Sequence, residues 1–409
     1  MKTSNKLKIF NDPIYGFIRI PNALIFDLIA DPYFQRLRRI SQMGLSYLVY
    51  PGAHHTRFHH ALGCMYLMQK SIQVLRFKGV EISTSEEDGL LCAILLHDIG
   101  HGPFSHAMEH SIVEGVSHEF ISLQFMQELN ERFNGSLTEA ISIFTGNQEN
   151  KFLNQLVSSQ LDMDRLDYLK RDSFYTGVAE GNTNAERLIT MLNVVDGSLV
   201  IEEKSIYSIE KFLMARRFMY WQVYLHKTAV VAERLLISIL KRARYLIEKG
   251  ETLNSSTPLH YFLTHHIDIN NFNGDTLLKF AKLDDIDILA ALKEWQYSND
   301  FVLSSLCAMI INRKLLHIKM KKEPISETKF LMQLNKVKAE YNITDEEASY
   351  FVFKGELRNK AYDRQHQTIN ILRKNGKITD VAKLSDHLNL NALSKTVTKY
   401  YMCYPKEGV

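Results

Sequence analysis

Leu95-Leu96-His97-Asp98-Ile99-Gly100-His101-Gly102-Pro103-Phe104-Ser105-His106 closes an apolar run that opens at Leu90. Leu90, Leu91, Ile94 and Leu95 recur at helical spacing, and Gly100, Gly102 and Pro103 then stop the helix. An imidazole and a carboxylate thus stand side by side at the buried end of a greasy helix. Such groups are costly there unless a cation or a polar partner satisfies them. Two neighbours can face one ion where a helix is ending, because the backbone is free to turn. Upstream, Ser83-Thr84-Ser85-Glu86-Glu87 offers a capping box that sets where this helix begins.

Two further runs supply matching donors. His60 lies in Arg57-Phe58-His59-His60-Ala61-Leu62-Gly63, and Asp164 in Gln160-Leu161-Asp162-Met163-Asp164-Arg165-Leu166-Asp167-Tyr168-Leu169. Together with His97 and Asp98 they make a mixed nitrogen and oxygen set. That set suits Mn, Fe, Co, Ni or Zn better than Ca or Cu. Four protein ligands leave octahedral positions open for water and a phosphoryl oxygen, so the ion could act as Lewis acid, template and source of a nucleophile. A single histidine on an apolar helix is more often packed than ligating. The order of the three runs along one chain is what lifts this set above that reading.

The rest of the chain bounds the answer. Its 409 residues are 45% apolar and 23% charged, with a net charge of +3, ordinary for a globular protein with a large core. The charge is too small to argue by itself for nucleic acid or membrane. Cys64, Cys92, Cys307 and Cys403 are far apart and form no CxxC pair, which predicts reduced, buried thiols in a cytoplasmic protein. The N-terminal residues Met1 to Lys8 hold no apolar signal core, and no run of 18 uncharged apolar residues occurs, so no membrane span is expected.

Residues 8–21 read as a short β-hairpin around a polar turn. From residue 22 to about 320 the pattern is helical almost throughout, with Leu153 to Arg171 and Ile209 to Lys249 each read as one run. Gly250, Asn254-Ser255-Ser256-Thr257-Pro258 and Asn270-Asn271-Phe272-Asn273-Gly274 break it. Asn375-Gly376 between Thr368–Leu372 and Lys377–Thr379 signals a hairpin. The expected fold is mainly α: a helical core with an N-terminal hairpin over 1–250, and a smaller α+β region over 251–409. That second region would serve oligomerisation or regulation, packed on the core or on a sister subunit.

Phe58 to Gly63, His97 to His106 and Asp164 to Asp172, joined by Asn11-Asp12-Pro13, Phe34-Gln35-Arg36-Leu37-Arg38 and Tyr224-Leu225-His226-Lys227, resemble the HD-domain phosphohydrolase superfamily. Within it the chain looks like the dNTP triphosphohydrolase branch, which includes bacterial dGTP triphosphohydrolases and the vertebrate sterile-alpha-motif/HD-domain dNTPase. The resemblance spans about residues 8–235. It implies an HD-domain helical core. It also implies hydrolysis of a dNTP, dGTP first among them, to deoxynucleoside and triphosphate.

The resemblance assigns roles residue by residue. His60, His97, Asp98 and Asp164 match the metal ligands, with Mg on the substrate phosphates as a further ion. His106 matches the catalytic acid. Glu109 stands where the family commonly has Asp. His118 matches a second active-site histidine. For His101 and His118, hydrogen-bonding support and a direct catalytic part remain equal alternatives. Arg57 and Arg216 match phosphate-binding arginines, and Arg165 replaces a family Lys at a phosphate contact. Tyr168 and Asp172 match residues that enclose the sugar and bind its 3′-hydroxyl. Tyr224 matches the aromatic packed on deoxyribose, and Gln42 a position that also meets the sugar.

Relatives are activated by a nucleotide bound between subunits of a dimer or tetramer. Lys8, Asn11, Gln35, Arg38 and Lys227 match parts of that outer site. The carboxylate that reads an activating guanine is unmatched, for Ala30 takes its place and Asp31 is one residue off. A plain helix-surface network is the equal alternative for Gln35 and Arg38. Two other functions stay in view. One is a nucleotidase or cyclic-nucleotide phosphodiesterase. The other is a regulator that binds nucleotide or single-stranded nucleic acid through the lysine-rich stretch 313–338, although most such runs are solvated faces.

Overall fold

The computed structural model describes residues 8–363, 367–385 and 390–406, the side chains of His106, Asn391 and Ala392 excepted. The hairpin forms as expected, from β1 (Ile9–Asp12) and antiparallel β2 (Gly16–Arg19). Asp12 shapes its turn, accepting from the backbone N–H of Ile14 at 2.8 Å and of Tyr15 at 3.0 Å.

A helical core follows. Its site-bearing members are α1 (Arg57–Phe77), α2 (Thr84–Leu96), α3 (Ser105–Glu109), α4 (His118–Arg132) and α5 (Met163–Thr176). The capping box on α2 is present, with Ser83 and Glu86 each satisfying the other's backbone N–H. Helix α2 is buried along Gly89–Leu96 and packs against α1, which also packs against α5. Helix α1 therefore brings the three chemistry-bearing runs together.

Both long helical runs are interrupted. Leu153 to Arg171 divides into Lys151–Val157 and α5, because Asp162 leaves the helical path and caps α5 by accepting from Arg165 N. Ile209 to Lys249 divides into α6 (Ile206–Met219) and α7 (Lys227–Glu248). Between them Tyr220–Tyr224 forms a wide π-turn, closed by Leu225 N on Tyr220 O at 2.8 Å. Neither break uses Gly or Pro. In the second, the His226 side chain caps α7 by accepting from Thr228 N at 3.2 Å.

The helical stretch also contains an unexpected hairpin, β3 (Leu192–Val195) and β4 (Ser198–Glu202). Its turn is Asp196-Gly197, both at positive φ (49° and 68°), the pair of backbone angles a two-residue turn needs. The Asn375-Gly376 hairpin forms as read, from β7 (Asn370–Leu372) and β8 (Ile378–Asp380), and β7 lies parallel to β4. The resulting sheet has the order β3-β4-β7-β8. A second antiparallel sheet, β5-β9-β6, joins β5 (His317–Lys321), β9 (Val397–Tyr404) and β6 (Phe353–Asn359). The four cysteines are free and buried, and no helix among the described residues is long and apolar enough to cross a membrane.

Residues 283–285 tie the later chain to the segment that leads into Gln42. Arg36, wholly buried, donates to the carbonyls of Leu283 and Ile99, and Arg39 pairs with Asp284. Buried Asp285 accepts from Ser41 N at 2.8 Å, while its Oδ1 finds no hydrogen-bond partner among the described residues. Burial pushes its carboxyl up to about 6. Between about pH 4 and 6 the folded chain then holds a proton that the unfolded chain has lost, so this contact favours folding at low pH and that advantage disappears as pH rises through 6. Asp285→Asn keeps an acceptor for Ser41 and carries no charge. It is expected to stabilise the protein by about 2–3 kcal/mol at pH 8 and by about 0 at pH 4. Urea unfolding at the two pH values measures this, and an equal change at both contradicts it.

Candidate active site

Four side chains converge where α1, α2 and α5 meet. Asp164 Oδ1 is 3.1 Å from His60 Nε2 and 3.5 Å from His97 Nε2. Asp98 Oδ1 is 3.3 Å from His97 Nε2, and its Oδ2 is 3.7 Å from His60 Nε2. Ligands about 2.1 Å from a transition ion and at right angles to each other stand about 3 Å apart.

The hydrogens point away from the centre. His60 Nδ1 meets Asp167 Oδ2 at 2.7 Å, and His97 Nδ1 meets the Ile94 carbonyl at 2.7 Å. Both partners accept, so each Nδ1 carries the proton and each Nε2 presents a lone pair. Nε2 of His97 is buried and has no hydrogen-bond partner among the described residues. Two lone pairs and two carboxylates facing each other call for positive charge. Burial opposes charge on both imidazoles, yet hydrogen bonds to Asp164 and Asp167 hold His60 well above its usual range, and Asp98 and Asp164 raise His97; a cation at the centre would take the place of that second proton. The donor set fits a divalent transition metal.

Cys64 also reaches this cluster, its Sγ 3.5 Å from His60 Nδ1. Burial pushes its thiol up, which keeps it protonated and a poor ligand. Asp98 behaves oppositely. Burial alone would raise its carboxyl, but His97, His101 and Arg57 outweigh that and hold it well below the usual range.

A chain of contacts behind His60 fixes its ring. Asp167 takes both Nε (2.9 Å) and Nη2 (3.0 Å) of Arg171, whose Nη1 reaches Asp12 Oδ2 at 2.8 Å. The hairpin turn is thus wired to a candidate ligand. Gly63 leaves the room this needs, for a Cβ there would fall 2.0 Å from Asp167 Oδ1 and 2.3 Å from Arg171 Nη2.

His101, Glu109 and His118 form a second group next to the first. The His101 and His118 rings stack at 3.9 Å, and His118 Nδ1 is 3.2 Å from Glu109 Oε1. Nδ1 of His101 is 2.8 Å from Ser105 Oγ, and its Nε2 is 3.4 Å from Asp98 Oδ1. Burial drives His101 down to about 3, so it is neutral near pH 7. The His106 side chain lies outside the described residues.

Beside the cluster opens a cavity of about 430 Å³. Arg57, Gln42, Tyr168, Asp172 and Tyr224, all expected at the substrate, line it. Arg57 links it to the cluster through a 2.5 Å contact from Nη1 to Asp98 Oδ2. Asp172 Oδ2 accepts from the Tyr224 hydroxyl at 2.7 Å, and burial keeps that phenol protonated by raising it well above its usual range. Arg165 is engaged with Asp162 at the head of its own helix, and Arg216 with Gln160 at 3.1 Å. Neither is among the residues that line the cavity.

The residues expected at an outer nucleotide site divide. Gln35 and Arg38 pair with each other at 2.9 Å, Gln35 also donates to Ile29 O, and Arg38 stacks 3.6 Å over Phe58. Lys8 lies 5.1 Å over Phe26, and Asn11 is exposed on the hairpin. Lys227 stands exposed at the first position of α7.

Sequence reasoning passed over Asp167, Arg171, Asp12 and His55. The Asp164, Asp167, Arg171 spacing of three and four residues puts all three on one helix face, and that signal was readable. His55, which meets Asp172 from 117 residues away, left none.

Comparison with known proteins agrees with this geometry. The HD-domain family matches residues 57–172, and the HD-associated region matches residues 183–257. YwfO of Bacillus subtilis is 33% identical over 416 residues, covering 98% of this chain and 92% of its own. A SAMHD1 homologue of Dictyostelium discoideum, named a deoxynucleoside triphosphate triphosphohydrolase, is 27% identical over 390 residues, covering 84% of this chain and 74% of its own. The crystal structure of a phosphohydrolase from Bacteroides thetaiotaomicron is 52% identical with a TM-score of 0.95, covering 98% of this chain and 100% of that one. A histidine–aspartate cluster on three packed helices, both family matches and relatives aligned along nearly the whole chain agree: this protein belongs to the HD-domain phosphohydrolase superfamily.

Proposed function

We propose that the protein is a dNTP triphosphohydrolase that converts a dNTP and water to a deoxynucleoside and inorganic triphosphate. The observation that carries this reading is the shared wall of cluster and cavity. Arg57 touches Asp98 on one side and lines a nucleotide-sized space on the other, which a carboxylate–phenol pair also lines. The named activity of the SAMHD1 homologue supports it.

In this reading His60, His97, Asp98 and Asp164 hold a divalent transition metal. When bound, the ion supplies Lewis acidity to the phosphoryl group and a template for water. Arg57 spreads the charge that develops on the phosphoryl oxygens. Glu109 orients the His118 imidazole, and neutral His101 positions Asp98 and His118 rather than serving as an acid. His106 keeps the leaving-group acid role that its place in the motif implies. Asp172 accepts from the 3′-hydroxyl. The Tyr168 and Tyr224 rings close on the sugar where a 2′-hydroxyl would find no partner. Arg165 and Arg216 reach phosphate only by exchanging their present partners. An activating nucleotide at Lys8, Asn11, Gln35, Arg38 and Lys227, between subunits of a homo-oligomer, completes the proposal.

The test is hydrolysis of all four dNTPs by metal-loaded protein, singly and in mixtures, with products resolved. Inorganic triphosphate and deoxynucleoside are expected, and release of monophosphate or pyrophosphate defeats the reading. dGTP should exceed GTP in kcat/KM by about ten- to hundredfold, the worth of one buried unpaired hydroxyl. Equal rates would instead favour a general nucleotidase.

A further inference from the structure

We propose that His55 is a positioning residue that sets the sugar wall of the cavity and gives the enzyme its demand for a 3′-hydroxyl. The proposal rests on the nucleotide reading above. His55 is 1% exposed and lies just before α1. Its Nε2 is 2.7 Å from Asp172 Oδ1, while Asp172 Oδ2 takes the Tyr224 hydroxyl at 2.7 Å. A carboxylate accepts only, so Nε2 carries the proton and donates. Both oxygens of Asp172 are therefore held, and each keeps a lone pair for a ligand hydroxyl.

The same residue holds a second wall. Its carbonyl accepts from Gln42 N at 3.0 Å, and Gln42 lines the cavity with its Oε1 buried and without a hydrogen-bond partner among the described residues. The His55 ring lies flat on Tyr175, centroids 4.4 Å apart at 14°. Two pieces of chain thus meet on this one residue, α5 on its imidazole through Asp172 and Tyr175 and the Gln42 segment on its carbonyl.

A purely packing role does not account for the imidazole. Nδ1 of His55 is buried with no hydrogen-bond partner among the described residues, an expense an apolar ring would avoid. What the imidazole adds over phenylalanine is the Nε2–H donor, and that donor points at Asp172. Without it the carboxylate loses one of its two anchors and is free to turn away from the sugar.

The experiment compares kcat/KM for a dNTP and its 2′,3′-dideoxy analogue in metal-loaded wild type, His55→Phe, His55→Asn and His55→Gln. Phe keeps the stack on Tyr175 and removes the donor. In H55F the dNTP value should fall about tenfold or more while the dideoxy value stays within about threefold, so that the ratio collapses. Asn, too short to reach Asp172, should do the same, and it carries the test if H55F does not fold. Gln, whose amide nitrogen reaches nearly as far as Nε2, should restore most of the ratio. A merely structural residue would lower both substrates together. An unchanged ratio in H55F, or in H55N where it stands in, overturns the proposal. Wild type that hydrolyses no dNTP overturns the nucleotide reading and this proposal with it, whereas wild type that hydrolyses dNTPs and ignores the 3′-hydroxyl overturns this proposal alone.

Discussion

Asp98→Ala is expected to empty the metal site and abolish turnover while the fold persists. Asp98 faces both imidazole lone pairs and sits 2.5 Å from Arg57. Its removal takes out a charged ligand and a quarter of the donor set. Alanine leaves no acceptor in its place, and the remaining His60, His97 and Asp164 hold one carboxylate against two imidazoles. Metal content should fall below about a tenth of wild type, and activity to background. The metal-free variant should stay folded but lose stability, because buried Arg57 loses the carboxylate it pairs with at 2.5 Å. Elemental analysis and thermal unfolding of the purified variant measure both. Full metal with full activity would remove Asp98 from the ligand set.

The second large effect is expected at Arg171, which never touches the candidate ion. Arg171 is wholly buried and pairs with Asp167 and Asp12. Methionine in its place fills much of the volume but strands two buried carboxylates. Breaking a buried pair from one side costs about 3–5 kcal/mol. Asp167 then orients His60 less firmly, and the loss of such a supporting contact typically costs about 10–100-fold in metal affinity. Denaturant unfolding and competitive metal titration of Arg171→Met should show both losses together. A change under about 1 kcal/mol with wild-type metal affinity would leave the Asp12–Arg171–Asp167 chain without a role.

The parts of the site that were legible in the sequence are those carried by short runs. His97 and Asp98 are adjacent, and their apolar helix and its glycine stop were visible at once. The Ser83 capping box and both terminal hairpins were local signals too, and each forms. What escaped was set by tertiary contact. The Tyr224–Asp172 and His55–Asp172 pairs join residues 52 and 117 positions apart, and no periodicity encodes them. The break after Met219 uses an aromatic π-turn and a histidine cap rather than Gly or Pro, so a pattern of apolar spacing runs straight through it. The β3–β4 hairpin was a different kind of miss. Its Asp196-Gly197 signal is strong, and it was outweighed by the helical stretches on both sides.

The parallel pairing of β4 with β7 has a consequence for how the chain is made. Ile201 and Ile371 are partners 170 residues apart. On a ribosome adding roughly 5–20 residues per second, roughly 9–34 s separate the exit of one strand from that of the other. For that interval the β3–β4 ribbon presents an unpaired strand edge with buried-type residues Leu199, Val200 and Ile201. The helical core, rich in local contacts, can close early; the sheet cannot. A nascent chain stalled before residue 370 would hold every candidate ligand and still carry an open edge, so its hazard in the cell would be self-association rather than loss of the catalytic set.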